Sequence, residues 1–288
     1  MFLGYNTNGF AHHRLEDAIE IVAELGYGGI GLTLDVHHLD PFSPQVPERL
    51  TAIREILKKH RLRCVIETGA RFLLNPRQKH QPTLLAASDE EQAVRLKFLE
   101  RCVVFAAKLG ADCVSFWSGT PTNATPAHQL MVRLVEACQH LAVVAEQNSV
   151  RLAFEPEPGM FIDTMDRFAE LYARVNHPAF GLTIDVGHLV CNGELPVSKF
   201  LTDWKHVLWN VHIEDMRHGV HDHLLFGEGE VDFADVFAGL QAAGYAGGVY
   251  VELSRHSHDA VNTARLARVY LERFLGQREE SAPCFGQE

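Results

Sequence analysis

Short apolar runs alternate with longer amphipathic stretches along this chain. The runs are Phe2–Tyr5, Gly29–Leu34, Arg63–Glu67, Cys113–Phe116, Arg151–Glu155, Gly181–Asp185, Leu208–Ile213 and Val249–Glu252. Each has the length of a strand and is too apolar to keep one face in water, the pattern of parallel strands covered on both sides. Between them, Leu15–Leu25, Pro47–His60, Glu90–Leu109, Ala127–Gln147, Phe168–Val175 and Phe233–Ala243 carry apolar residues at helical spacing, and Ala260–Leu275 supplies a last helix. Several of these run into glycine, in LGYGG (25–29), LGAD (109–112) and AGYAGG (243–248), as helix C-termini prefer. Eight strand-and-helix units predict an α/β fold, a single-domain (β/α)₈ TIM barrel. A doubly wound open sheet is the alternative, but no glycine-rich phosphate turn follows the first strand to support it.

The barrel is expected to span residues 1–276, with a polar C-terminal tail at 277–288. The longest irregular piece, GARFLLNPRQKHQPTLLAAS (69–88), follows the third strand and has the length of a functional lid or a disordered insert. With 47% hydrophobic and 22% charged residues, the composition is that of a globular protein. A net charge of −11 argues against a broad nucleic-acid footprint, which would need clustered Lys and Arg. The cysteines Cys64, Cys102, Cys113, Cys138, Cys191 and Cys284 lack zinc-ribbon spacing, and the first four sit within apolar patterns. They read as small buried hydrophobes in a reducing compartment. No apolar stretch approaches the roughly 18 residues of a membrane span, and MFLGYNTNGF has no basic leader, so a cytoplasmic location is expected. Homo-oligomerisation stays open.

In a barrel of this kind functional residues sit at the C-terminal ends of the strands. Strands five to eight end on one acid or imidazole each: Glu155 in RLAFEPEPG, Asp185 in GLTIDVGH with His188 three residues on, His212 in NVHIED and Glu252 in VYVELS. A lone charge at the end of an apolar run is costly to bury. Four adjacent strands delivering such groups to one rim form a three-carboxylate, one-imidazole site. Such a site suits a divalent metal, Mn²⁺, Mg²⁺, Co²⁺ or Zn²⁺, and the absence of thiolate argues against soft metals. The alternative is that the four separately cap the helices that follow.

The segments EPEPG, IDVGH, VHIED and VELS, in this order and spacing, resemble the xylose-isomerase-like barrels known as sugar phosphate isomerases/epimerases. That superfamily includes ketohexose 3-epimerases, inosose dehydratases and endonuclease IV. The resemblance covers nearly the whole chain and implies one metal on Glu155, Asp185, His212 and Glu252, with Glu155 and Glu252 exchanging the substrate proton. It also implies substrate contacts from His188 and from Arg217, whose offset from His212 is one residue shorter than the family's. The turn HDHLLFGEG resembles a metal-binding turn of endonuclease IV, with His223 in the histidine position and His221 replacing an aspartate. With His188 these make a candidate second metal site; the alternative is that the three rings orient substrate or bond to carboxylates. The further metal-binding histidines of endonuclease IV have no match, the corresponding positions lying near Glu67 and Trp117, and nuclease activity is not expected.

Other residues have two readings. Trp117 stacks on a sugar or cyclitol ring, or is core. Glu157 bonds to substrate hydroxyls, or accepts helix-terminal amides. Asn6, His12 and His13 line the mouth, and Arg71, Arg77, Lys79 and His80 meet an anionic substrate or simply face water. The function expected is metal-dependent isomerisation or epimerisation of a sugar, sugar phosphate or cyclitol by proton transfer through an enediolate. The alternatives are a dehydratase of a keto-cyclitol, a two-metal hydrolase and a metabolite-binding barrel without turnover.

Overall fold

The computed structural model describes residues 1–275. Its first strand β1 (Phe2–Asn6) is followed by α1 (Leu15–Glu24), β2 (Gly29–Thr33), α2 (Val46–His60), β3 (Arg63–Glu67), α3 (Asp89–Leu109), β4 (Val114–Phe116), α4 (Ala127–Gln147), β5 (Leu152–Phe154), α5 (Met165–Val175) and β6 (Phe180–Asp185). Two short helices, α6 (Val186–Asn192) and α7 (Val197–Asp203), lead to β7 (Leu208–Ile213). A hairpin of β8 (Asp215–Arg217) and β9 (Val220–Leu224) then precedes α8 (Phe233–Ala242), β10 (Gly248–Val251) and α9 (Ala260–Leu275). Eight parallel strands close in the ring order β1-β10-β7-β6-β5-β4-β3-β2, which excludes the open sheet. The expected polar tail 277–288, with Cys284, lies outside the described residues. Cys64, Cys102, Cys113, Cys138 and Cys191 are buried and free. No helix among the described residues is long and apolar enough to cross a membrane.

The strands keep their predicted places. α5 begins three residues earlier than its apolar spacing suggests, because the Thr164 hydroxyl accepts from the Arg167 amide and caps the helix at that point. Helices α6 and α7 and the β8–β9 hairpin were not expected: the helices are too short to show a period, and the hairpin's strands, DMR and VHDHL, show no apolar run.

Alternation along the strands decides what fills the barrel. Val65, Cys113, Ala153 and Tyr250 form an apolar plug, with Phe2 and Trp209 packed against it. Two residues further along the same four chain segments stand Glu67, Ser115, Glu155 and Glu252. The layer above the plug is polar: Ser115 Oγ and Thr183 Oγ1 share a hydrogen bond of 2.9 Å, and Asn210 Nδ2 donates to Glu67 Oε1 at 3.2 Å. The opposite strand faces pack under the helices in the main core, with Ile30, Phe116, Phe154, Ile184 and Val251 all buried. Gly31 is required by this arrangement. A Cβ there would collide with Asn6 Oδ1 at the barrel mouth.

Candidate functional site

Glu155, Asp185, His212 and Glu252 converge at the C-terminal rim, each offering a ligand atom within 4.8 Å of the others. His212 Nδ1 lies 3.0 Å from Glu155 Oε1 and 3.2 Å from Glu252 Oε2. Its other nitrogen, Nε2, is 2.9 Å from Glu67 Oε1. Both ring nitrogens thus face carboxylates; with the Nε2 proton donated to Glu67 and the Nδ1 proton lost, Nδ1 would offer a cation its lone pair, as a ligating imidazole does. Glu67 was not recognised as a site residue from the sequence, although its place two residues beyond inward-facing Val65 is the signal that finds it. Asn6 and Asn8 were also brought in by closure: their Nδ2 groups donate to the two oxygens of Glu252, at 3.2 and 2.8 Å.

Asp185 both ends a strand and caps a helix. Its Oδ1 accepts from the His188 amide at 3.0 Å, starting α6, whereas its Oδ2 is buried without a partner. A buried carboxylate oxygen with no donor, within ligand distance of two glutamates and an imidazole, fits a divalent cation.

Burial pushes Glu155 up to about 7, His212 opposing the rise. For His212 itself, burial works against the charge, but Glu67 and Glu155 outweigh it and raise the pKa well above the usual value. Burial also disfavours ionised Glu252 and Asp185, yet His212 lowers the first and His188 the second.

The β8–β9 hairpin carries His221 and His223 to the same rim. Asp215 shapes that excursion by accepting from the amides of Met216, Gly227 and Val231 at 3.1, 2.8 and 3.1 Å. His188 Nδ1 bonds to the Pro156 carbonyl at 3.2 Å, and its Nε2 lies 3.1 Å from His221 Nε2. The rings of His188, His221 and His223 thus form one cluster, and burial lowers His188 to about 4. Fully buried Glu214 stands beside it, its Oε1 3.7 Å from His223 Nδ1. Burial and the charge of Asp185 raise the Glu214 pKa well above normal.

A cavity of about 220 Å³ opens above the rim, lined by Asn6, Glu67, Trp117, Glu155, Glu157, His188, His212 and Glu252 among others. Trp117 forms part of its wall, with Arg95 over the ring at 4.8 Å and His80 edge-on at 5.2 Å. Arg71, Lys79 and His80 line the cavity, whereas Arg77 does not. His12 and His13 are also outside the lining. Arg217, expected to meet substrate, is exposed and outside the lining too: its guanidinium donates twice to the Glu228 carbonyl, at 3.1 and 2.7 Å, and is held there. Arg255, after β10, lines the cavity instead.

The family model described as xylose isomerase-like TIM barrel matches residues 19–274. Among known proteins, the L-ribulose-5-phosphate 3-epimerase UlaE of Escherichia coli is 22% identical over 241 residues, covering 82% of this chain and 81% of that protein. Among solved structures, the D-allulose 3-epimerase of Methylomonas sp. in complex with D-allulose superposes with a TM-score of 0.76 at 19% identity, over 95% of this chain and 96% of that one. The IOLI protein with a binding zinc atom superposes with a TM-score of 0.73 at 17% identity, over 95% of this chain and 99% of that one. At these identities the structural likeness speaks for the fold.

Proposed function

The chain belongs to the xylose isomerase-like TIM barrel family, and from that premise we propose that it is a metal-dependent epimerase or isomerase of a ketose or related polyol, moving a proton at the carbon beside a carbonyl. The observation that carries this reading is the pair of glutamates on His212 Nδ1, Glu155 at 3.0 Å and Glu252 at 3.2 Å. They come from β5 and β10, three places apart around the ring, and so reach the centre from different sides. A divalent cation held by Glu155, Asp185, His212 and Glu252 would supply Lewis-acid stabilisation of the negative charge that proton removal creates.

One glutamate takes the proton from one face of the substrate carbon and the other returns one to the opposite face, which inverts the centre. Asn6 and Asn8 hold Glu252 by both oxygens, so its carboxylate is aimed before substrate arrives. Glu67 fixes the tautomer and tilt of His212. Trp117 supplies an apolar wall for a sugar carbon face, and Glu157 and His188 supply polar contacts to hydroxyls.

The reading is tested with the metal-loaded enzyme and candidate ketoses in deuterated water. Deuterium is expected at the carbon next to the carbonyl of the product. Glu252→Gln, whose amide cannot accept the proton, is expected to lower turnover about 10²- to 10⁴-fold. Conversion without deuterium in the product, with wild-type turnover in the variant, would remove the two-glutamate mechanism. Loss of water from the substrate instead of epimerisation would make the enzyme a dehydratase using the same first step.

A further inference from the structure

Three cationic side chains, Arg71, Lys79 and Arg255, line the outer part of the cavity. Arg255 has a partner, since its guanidinium lies 2.5 Å from Asp222 Oδ1. Among the described residues, the side chains of Arg71 and Lys79 form no ion pair and no hydrogen bond, unlike those that hold the rest of the loop. They are close enough to act on each other: desolvation and the charges of Arg71 and Arg255 lower the Lys79 pKa, with Glu157 opposing. Glu157, the other acid of this wall, forms an ion pair with neither cation, and its own charge is disfavoured by burial and by Glu155 and Glu252, which raise its pKa well above the usual range.

Like charges drawn together without a counter-ion destabilise the free protein, so the arrangement gains its value when an anion enters. The loop that bears Arg71 and Lys79 is itself held down. Buried Arg95 donates to the carbonyls of His80 and Pro82 at 2.6 and 2.8 Å, and His80 Nδ1 bonds to the Gly69 carbonyl at 2.8 Å. The two cations are therefore presented on a braced segment. Ligand binding does not have to order them first.

We infer that Arg71 and Lys79, with Arg255 beside them, form an anion subsite that binds the phosphate of a phosphorylated ketose while its carbonyl end lies at Glu155 and Glu252. This rests on the epimerase reading for the carbonyl end and on the cations alone for the phosphate. A phosphate monoester carries close to two negative charges near neutral pH and offers three acceptor oxygens, which matches two free cations and a third at the edge. The phosphate takes no part in bond making. Its binding energy fixes the reacting carbon between the glutamates, so its loss weakens catalysis as well as affinity.

The test compares a ketopentose 5-phosphate with the same ketopentose unphosphorylated, using metal-loaded wild type and the Arg71→Ala/Lys79→Ala double variant. Inorganic phosphate serves as a separate binding probe by calorimetry. The wild type is expected to favour the phosphorylated substrate by roughly 100-fold in kcat/KM, charge-assisted contacts being the strong class of hydrogen bond. In the double variant that ratio should collapse towards unity and phosphate binding should disappear. Lys79→Gln alone is expected to lower the ratio part of the way with the fold intact by circular dichroism. Equal or better turnover of the unphosphorylated sugar by wild type, with no phosphate binding, overturns the subsite. Phosphate binding that needs Arg71 and Lys79, with neither ketose turned over, upholds the subsite and sinks the epimerase reading.

Discussion

Asp185 serves two neighbours with its two oxygens, and substitutions can separate the roles. Asn keeps an oxygen for the helix cap but removes the charge, whereas Ala removes both. Asp185→Asn is expected to lose bound metal and melt close to the metal-free wild type; Asp185→Ala should lose a further 1 kcal/mol or so of stability, the usual worth of a cap. Elemental analysis and calorimetric unfolding check both, and full metal content in the Asn variant contradicts the ligand set. The same analysis counts ions: one per chain is expected, and a second that is lost in a His221→Ala variant would belong to His188, His221 and His223 rather than to Asp185, Glu214 and His223. Protonation at the centre has a definite sign. In the metal-free protein burial pushes Glu155 up to about 7, and Glu67 with Glu155 raises His212 despite its burial, so both hold protons that a cation must displace. Apparent metal affinity should therefore rise with pH through about 7 and fall in acid, with proton release on binding. Titration calorimetry in two buffers of different ionisation enthalpy measures that release; an affinity indifferent to pH across this range would contradict it.

The segment 69–88 is held at its second half by α3 and α4. Besides the Arg95 contacts, Arg133 donates to the Ala86 carbonyl at 2.6 Å, Gln92 to that of Leu84 at 2.7 Å, and Leu84, Leu85 and Ala86 are buried. Arg95→Met keeps the apolar bulk but leaves the carbonyls of His80 and Pro82 without their donor, at about 1–3 kcal/mol for each buried group. Faster hydrogen exchange and proteolysis confined to 69–88 are expected, with α4 unchanged. If protection of the loop is unaltered, Arg95 is not its anchor. From sequence this piece read as one irregular stretch, a lid or a disordered insert, because a lone arginine inside an amphipathic helix gives no sign of pointing at a loop. Long elements were legible for the opposite reason: α3 and α4 repeat their apolar spacing over many turns, whereas α6 and α7 have seven residues each.

At the scale of the molecule, the candidate metal ligands come from the ends of β5, β6, β7 and β10, so an ion bound by them would stabilise the ring as a whole. Excess metal at about 100 times its dissociation constant adds about 2.7 kcal/mol, which for a chain of this size raises Tm by roughly 4–5 °C. Thermal unfolding with added Mn²⁺ and with a chelator checks it, the far-ultraviolet spectrum before melting being the same in both; equal Tm values would place the ion elsewhere or nowhere. The eight strand-and-helix units, the closed barrel they favour and the four strand-end side chains that converge at its rim were readable in the sequence alone. Alternation, helical period and the position of a charge after an apolar run are local properties, and local properties survive in one dimension. Which rim residues touch was decided only by closure. It brings Asn6 and Asn8 from the first strand onto Glu252, and sets Glu67 against His212, 145 residues away. It likewise leaves Arg217 outside the cavity and puts Arg255 within it, because the hairpin bent by Asp215 and the turn after β10 have directions that side-chain spacing does not encode.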